Sequence, residues 1–452
     1  MFKSCKDKNL QQFLFREVTK WRIYKSTSLS LFSIFLILNF VVFASQGYAQ
    51  TTDDSLILDD LIKTALENNP QLKSFQSAIK ADSAKIPQSG SLPDPVLSLS
   101  LMNLPTNSFV FDQEPMSGKQ ISLKQLFPFP GKLSLKEDIS SQGVAISIAN
   151  YQEFRNQIIR DLKISYYDLF FIDKSIKITE KNQQLLREFT DIAESRYKVG
   201  KGLQQDVLKA QVELSKMIDK LIQLQQKRVV KQAQINTILN QPVDVPLGKT
   251  SELEFSKSLG NLDSLQRLAT VYRPLLKGWE SMRKQSLLSV DLAKKDYWPD
   301  IGVFLAYTQR EVLQNGSPGY DFLSGGISLN LPIYSGSKQS KKVEETVNHK
   351  NMIEERYEQI LNQIDFELEN KLSGEQKNAK LVELFKTGII PQASQSLKSA
   401  MTGYQTDKVD FLTLINNLIT LFNYELEYYR VLSDYNKDLA SLKYLTGTDI
   451  IN

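Results

Sequence analysis

The sequence predicts a mainly α-helical, internally duplicated protein in which two long helical hairpins each join a pair of β-strands. Three observations predict it. Landmarks recur at one spacing, two stretches run too long for globular helices, and four short runs alternate apolar and polar residues. Pro70 to Pro274 is 204 residues and Pro93 to Pro299 is 206. Ile121-Ser-Leu to Ile327-Ser-Leu is 206, and Tyr197 to Tyr404 is 207. Four spacings that agree within three residues mark two copies of one unit.

The chain begins with a basic region ending at Lys25, an apolar run from Leu29 to Phe43, and Gly47-Tyr48-Ala49. This pattern predicts an export signal over 1–49, cleaved before Gln50. The apolar run is short for a membrane span of about 20 residues. The first copy is then expected over 50–241. Its helical region, 56–86, is broken at Pro70. Strands follow at 94–102, where Leu97, Leu99 and Leu101 alternate with Ser98 and Ser100, and at 119–127. A helical hairpin over 132–240 completes the copy. From Lys132 to Val199 there is no proline and Gly143 is the only glycine, which allows a helix on the order of 100 Å. The return helix carries Val207, Ala210, Leu214, Met217, Leu221 and Leu224 at alternating 3-4 spacing, a packed seam.

Pro242, Pro246, Gly248 and Gly260 mark a linker over 242–262. The second copy, 263–447, repeats the order. Helices interrupted at Pro274 precede strands at 300–309 and 322–331, then a helical hairpin over 336–445 that Pro391 is expected to kink. A short tail, 448–452, ends the chain.

Composition narrows the function. Residues 1–49 hold seven Lys/Arg and two acids, leaving 48 basic and 49 acidic residues for 50–452. That balance argues against a nucleic-acid partner. The one cysteine, Cys5, lies in the export signal, so the mature chain has no disulfide and no thiol for lipid attachment. His349 is the one histidine. No His/Cys metal site, catalytic set or cofactor site is expected, and no enzyme activity. Met352, Met401, His349 and the Glu344, Glu345, Glu354, Glu355 group read as packing or a solvated face.

Four strands of about ten residues suit a membrane barrel. They cannot close one alone, and open edges are not tolerated in lipid. The strands must then be shared between chains, and the helices would extend the barrel into a conduit. A soluble two-layer sheet, or a trimeric coiled coil or adhesin without a channel, are the alternatives. The latter predicts one unbroken heptad array rather than two interrupted copies.

Each hairpin reverses at a tip. Gly200 and Gly202 are the only glycines between Gly143 and Gly248. Tyr197-x-x-Gly200 with Asp206-Val-Leu is echoed by Tyr404-x-x-Asp407 with Asp410-Phe-Leu-Thr413. With Ala65-Leu-Glu-Asn-Asn-Pro70, Pro299-Asp300 and the paired Ile-Ser-Leu strands, these motifs resemble the TolC-like family of outer-membrane efflux proteins over about 56–447. The resemblance implies a homotrimer with a 12-stranded barrel in outer-membrane lipid and a periplasmic tunnel closed at its tip. It implies a periplasmic adaptor (membrane fusion) protein and an inner-membrane transporter, of the resistance-nodulation-division type, as partners. The cargo would be small molecules or metal ions, with type I protein secretion as the alternative. Adaptor docking would fall around 197–206 and 404–413. In the family, acids on the last helix often line the closed aperture, six and nine residues past the glycine of the tip motif. Those positions hold Asp206 and Lys209 in the first copy, and Thr413 and Asn416 in the second, which therefore lacks both acids. Asp407 and Asp410 could replace them, or act as helix caps.

Overall fold

A computed structural model describes residues 56–255 and 260–448. The export signal with Cys5, and residues 449–452, lie outside the described residues. The first repeat comprises α1 (Leu58–Asn68), α2 (Pro70–Gly90), β1 (Val96–Met102), β2 (Gly118–Phe127), α3 (Lys132–Lys198) and α4 (Gln204–Ile238). The second comprises α5 (Leu262–Tyr272), α6 (Pro274–Lys295), β3 (Ile301–Gln309), β4 (Phe322–Leu329), α7 (Gln339–Leu384), α8 (Ile390–Gln405) and α9 (Phe411–Thr446). Among the described residues, no helix is long and apolar enough to cross a membrane.

Local chemistry sets the boundaries. The Asn69 side chain accepts hydrogen bonds from the backbone N–H groups of Gln71 and Leu72 at 2.9 and 3.1 Å, with Pro70 at the first helical position. Asn261 caps α5 by accepting from Ser264 N at 2.9 Å. α2 runs on through Pro87 to Gly90, past the expected end at 86, because it lies packed along α3. β4 stops at Leu329, short of the expected 331, where the Asn330 N–H turns to the Asp300 carbonyl.

The expected kink at Pro391 takes a different form. A five-residue π-helical turn, Phe385–Ile389, joins α7 to α8, and Ile390 N donates to Phe385 O five residues back. The wider turn opens the ladder just where proline cannot donate and would crowd the preceding turn. α7, the π turn and α8 run for 46, 5 and 16 residues without a break, matching the 67 residues of α3. Each is about 100 Å long at the α-helical rise.

The four strands form one antiparallel sheet in the order β1-β2-β3-β4. Register and the two-residue strand period sort their side chains onto two faces. One face carries the ladders Leu99–Ile121–Tyr307–Leu323 and Leu97–Leu123–Leu305–Gly325, followed by Val303–Ile327 and Phe127–Ile301–Leu329. The other carries Ser98–Ser122–Ala306–Ser324, Ser100–Gln120–Thr308 and Gly302–Ser328. Leu99 is 77% exposed in the single chain, and the apolar face has no protein cover. This is the lipid-facing and lumen-facing division of a membrane barrel, and the outer edges of β1 and β4 await pairing from other copies.

A charged knot fastens sheet to helices. Asp300, at the entry to β3, accepts from Phe129 N at 2.8 Å and from Lys132 Nζ at 2.9 Å. Lys132 also pairs with Asp296 at 3.1 Å and is buried. Phe129 stacks on Trp298 with ring centroids 5.2 Å apart. Removing one partner of such a buried pair typically costs about 3–5 kcal/mol.

The helices pack in the order α4, α3, α9, α7/α8, and α2 and α6 flank α3. Leu61, Ala65, Leu162, Tyr166, Leu169, Ile235 and Leu239 form a core under the linker. The linker is strapped to α3. Tyr166 Oη donates to Leu56 O at 2.9 Å, Ser251 N donates to Tyr166 Oη at 3.1 Å, and Leu56 bridges Thr250 in parallel. Arg228 binds Asp173 at 2.8 Å and the carbonyls of Leu247 and Gly248. Between α7 and α9, Glu375 is buried and its Oε1 has no hydrogen-bond partner. Burial pushes its carboxyl pKa up, beyond what a hydrogen bond from Tyr435 offsets, and nearby Asp438 adds to the rise.

Two predictions follow from this packing. Leu99→Arg puts a cation on the lipid face and is expected to cost on the order of 2–4 kcal/mol near the bilayer midplane. Ser98→Arg, on the lumen face, is expected to cost far less; unfolding from lipid vesicles compares them. For Glu375, a raised folded-state pKa means stability is fully present below the ordinary glutamate range. It is lost as pH rises toward the folded pKa. Glu375→Gln is therefore expected to raise the melting temperature at neutral pH, with the gain vanishing at acid pH. A gain independent of pH would contradict the assignment.

Candidate functional site: the two helical tips

The two hairpin tips are built by one backbone device. At the first, Lys201 N donates to Arg196 O at 2.8 Å and Gly200 N to Tyr197 O at 3.0 Å. At the second, Lys408 N donates to Gly403 O at 2.8 Å and Asp407 N to Tyr404 O at 3.3 Å. Both are Schellman helix ends, which need a left-handed residue just past the helix. Gly200 supplies φ 73° and Asp407 φ 60°. The left-handed region costs a non-glycine residue roughly 1–2 kcal/mol, so Asp407 needs a compensating contact.

Arg196 supplies it. Its guanidinium forms an ion pair with the Asp407 carboxylate, and its Nη1 donates to the Tyr404 carbonyl at 2.8 Å. It also lies over the Tyr404 ring, 4.8 Å from the centroid. A side chain of the first tip thus grips three features of the second. Arg196 was missed as a site residue because its partners lie more than 200 residues away. The available signal is a break in the repeat, since the matching position 207 residues on is Gly403.

That break is reciprocal. A Cβ on Gly202 would lie 3.1 Å from the Arg196 side chain, and a Cβ on Gly403 would lie 2.5 Å from that of Val409. Positions 202 and 409 correspond, as do 196 and 403. Each tip therefore puts one glycine beneath one larger side chain, with the order exchanged between copies.

The remaining candidates separate into distinct roles. Asp410 caps α9, accepting from Thr413 N at 2.6 Å, and that backbone hydrogen bond holds its carboxyl below the usual range. Asp407 is not a cap; it occupies the helix-end position before it. Asp206 sits in the first turn of α4, where a carboxylate favours the helix dipole. Lys209 pairs along α4 with Glu213 at 3.0 Å, and Lys216 reaches the same oxygen at 2.9 Å. Burial would raise the Glu213 carboxyl, but the hydrogen bonds from Lys216 and Lys209 outweigh it and leave it lowered. Thr413 and Asn416 are exposed and join no charged cluster. The tip thus brings together Arg196, Tyr404 and Asp407, and leaves Lys209, Thr413 and Asn416 outside that group. Met352 and Met401 lie apart on α7 and α8.

The two tyrosines also differ. Tyr404 is buried, 5.4 Å from the Phe411 ring, in a core with Ala193, Val207, Ala400, Leu414 and Ile415. Tyr197 is 47% exposed, and Val199, Leu203 and Leu208 near the same turn are exposed apolar side chains as well.

Residues 61–241, the bulk of the first repeat, match the family model for outer membrane efflux proteins. No curated protein matches the chain by sequence. Among solved structures, the outer-membrane channel OprN is 19% identical with a TM-score of 0.74, covering 89% of this chain and 94% of its own. VceC from Vibrio cholerae is 16% identical with a TM-score of 0.73, covering 86% and 96%. The open state of the Neisseria gonorrhoeae channel MtrE is 14% identical with a TM-score of 0.72, covering 89% and 96%. Residues 61–241 thus carry the signature of the outer membrane efflux proteins, and the described chain has the fold of the outer-membrane channels it matches.

Proposed function

We propose that the chain is the passive exit duct of a tripartite efflux system. Three copies close a 12-stranded barrel and a helical tunnel. An inner-membrane pump of the resistance-nodulation-division type delivers small molecules through a periplasmic adaptor. The observation that carries this reading is the sheet, which has one uncovered apolar face, one face on which Ser, Gly, Gln and Thr predominate, and two unpaired edges. In lipid those edges pair only with other copies. The helices extend the same asymmetry, since α4 and α7/α8 lie at opposite ends of the packing order. α4 offers exposed Val212, Ile222 and Val229, while α7 offers Phe366 and Leu384, as apolar seams for neighbouring copies.

Within this reading, Arg196 is the latch of the closed tip, and the adaptor docks on the exposed side chains of Tyr197, Val199, Leu203 and Leu208. The fit of Arg196 to Tyr404 and Asp407 favours the first assignment. Exposed apolar side chains at a tip favour the second. Thr413 and Asn416 leave the second tip without the acid ring expected on the last helix.

Purified protein in planar bilayers tests the duct and the latch. A part-exposed charged contact is worth on the order of 1 kcal/mol. Three copies then shift the opening equilibrium by roughly a hundredfold. Arg196→Ala is expected to raise the mean conductance accordingly. Asp407→Gly keeps the left-handed turn while deleting the carboxylate, so it is expected to open the pore in the same way. Conductance unmoved by either change would remove the latch, and no conductance in any variant would remove the duct. For docking, Leu203→Asp is expected to weaken capture of the purified adaptor at least about tenfold, whereas Leu412→Asp on the second tip is expected to change it little. Equal losses would sink the assignment to the first tip.

A further inference from the structure

The lumen face of the barrel strands carries positive charge without negative charge. Its strand positions are filled by Ser, Gln, Gly, Ala, Thr, Val, Met, Leu and two phenylalanines, together with Lys124; Arg310 follows at the end of β3. No Asp or Glu lies on that face within the strands. Asp300, just below, is already engaged by Lys132 and the Phe129 N–H.

Arg310 sits over an aromatic ring, and Lys124 is paired in register with another. Lys124 pairs in register with Phe304, and its side chain crosses Gly302, where a Cβ would lie 3.3 Å from Cε. Among the described residues, the Lys124 side chain has no hydrogen bond or ion pair. Phe304 is held over Gly326, where an added Cβ would meet the ring at 2.5 Å. Farther up, Arg310 stacks on Phe322 at 4.3 Å, and its Nε is buried without a partner. Asp321 offsets part of the Arg310 charge, accepting from its backbone N–H at 3.0 Å and from Tyr307 Oη. Lys124 has no such neighbour. From 304 to 310 is six residues, so the two tiers stand roughly 20 Å apart along the strand.

An uncovered phenylalanine in an aqueous lumen is an unfavourable exposure that needs a compensating use. Rings beside cations bind molecules that combine an aromatic body with an anionic group: the cation attracts the charge, and the ring takes the apolar surface. We propose that the barrel lumen is an anion-selective, aromatic-lined passage, and that the cargo class is organic anions bearing aromatic groups. This rests on the trimeric duct reading above and narrows its cargo away from metal cations.

The test uses full-length trimer in planar bilayers under a KCl gradient, alone and in the Arg196→Ala background so that the tip does not limit current. Reversal potentials are expected to show about a threefold chloride preference at low salt, shrinking as salt screens the lumen charges. Lys124→Gln with Arg310→Gln is expected to bring that preference to about one, Lys124→Glu to invert it, and Lys124→Arg to keep it. Naphthalenesulfonate is expected to block current more strongly than methanesulfonate, and Phe304→Ser is expected to erase the difference. Trimer retention on gels confirms that each variant assembles. A potassium preference unmoved by Lys124→Glu would overturn the charge assignment. Equal block by the two sulfonates would overturn the aromatic one. Conductance with no ion preference overturns this inference alone, whereas no conductance in any arm removes the duct reading and this inference with it.

Discussion

The structure depends on one constraint: inside a bilayer, every backbone N–H and C=O must find a protein partner. A four-stranded sheet satisfies its inner ladders and leaves two edges bare. The apolar ladder through Leu99, Ile121, Tyr307 and Leu323 commits one face to lipid, so neither edge can rely on water. Closure through other copies then becomes a condition of folding in the membrane. The helices inherit the arrangement, because β2 leads directly into α3 and β4 into α7. The Lys132–Asp300–Asp296 knot ties the first of those handovers to the entry of β3.

Much of the fold was legible in the sequence because it is written in one-dimensional period. Alternating Leu and Ser at 97–101 gives a two-faced strand, and the 3-4 spacing from Val207 onward gives a packed helix. The landmarks about 206 residues apart give two copies. Boundaries were less legible, because they depend on neighbours. α2 continues through Pro87 because α3 supports it, and the expected kink at Pro391 is met by a π turn that joins α7 to α8 without a break. The Gly200–Asp407 match was readable from the repeat, and both residues take the left-handed conformation. The Arg196 grip was not, since no local pattern encodes a contact between residues 208 positions apart.

The tips show how a duplicated unit acquires distinct ends without a change of backbone. The Schellman hydrogen bonds are the same in both copies. Differences lie in which position of each pair carries the bulk: Arg196 over Gly202 in one, Val409 beside Gly403 in the other. The exchange directs a long cation from the first tip toward the second, where the Asp407 carboxylate and the Tyr404 carbonyl receive it. Tyr404 is buried beneath that cation, and Tyr197, with no counterpart above it, faces out.

This division has an energetic logic. Asp407 pays for a left-handed conformation that glycine would adopt freely, so its carboxylate is useful only where it meets Arg196. The Asp410 carboxylate, three residues on, is committed to the first turn of α9 and is not available to a pore. The second tip therefore spends its two acids on holding its own shape and its neighbour's arginine, which leaves discrimination among solutes to a part of the duct whose backbone is already fixed. The barrel strands meet that requirement. Their lumen side chains project from a hydrogen-bonded sheet, so a cation or ring there can be placed without disturbing closure at the tip.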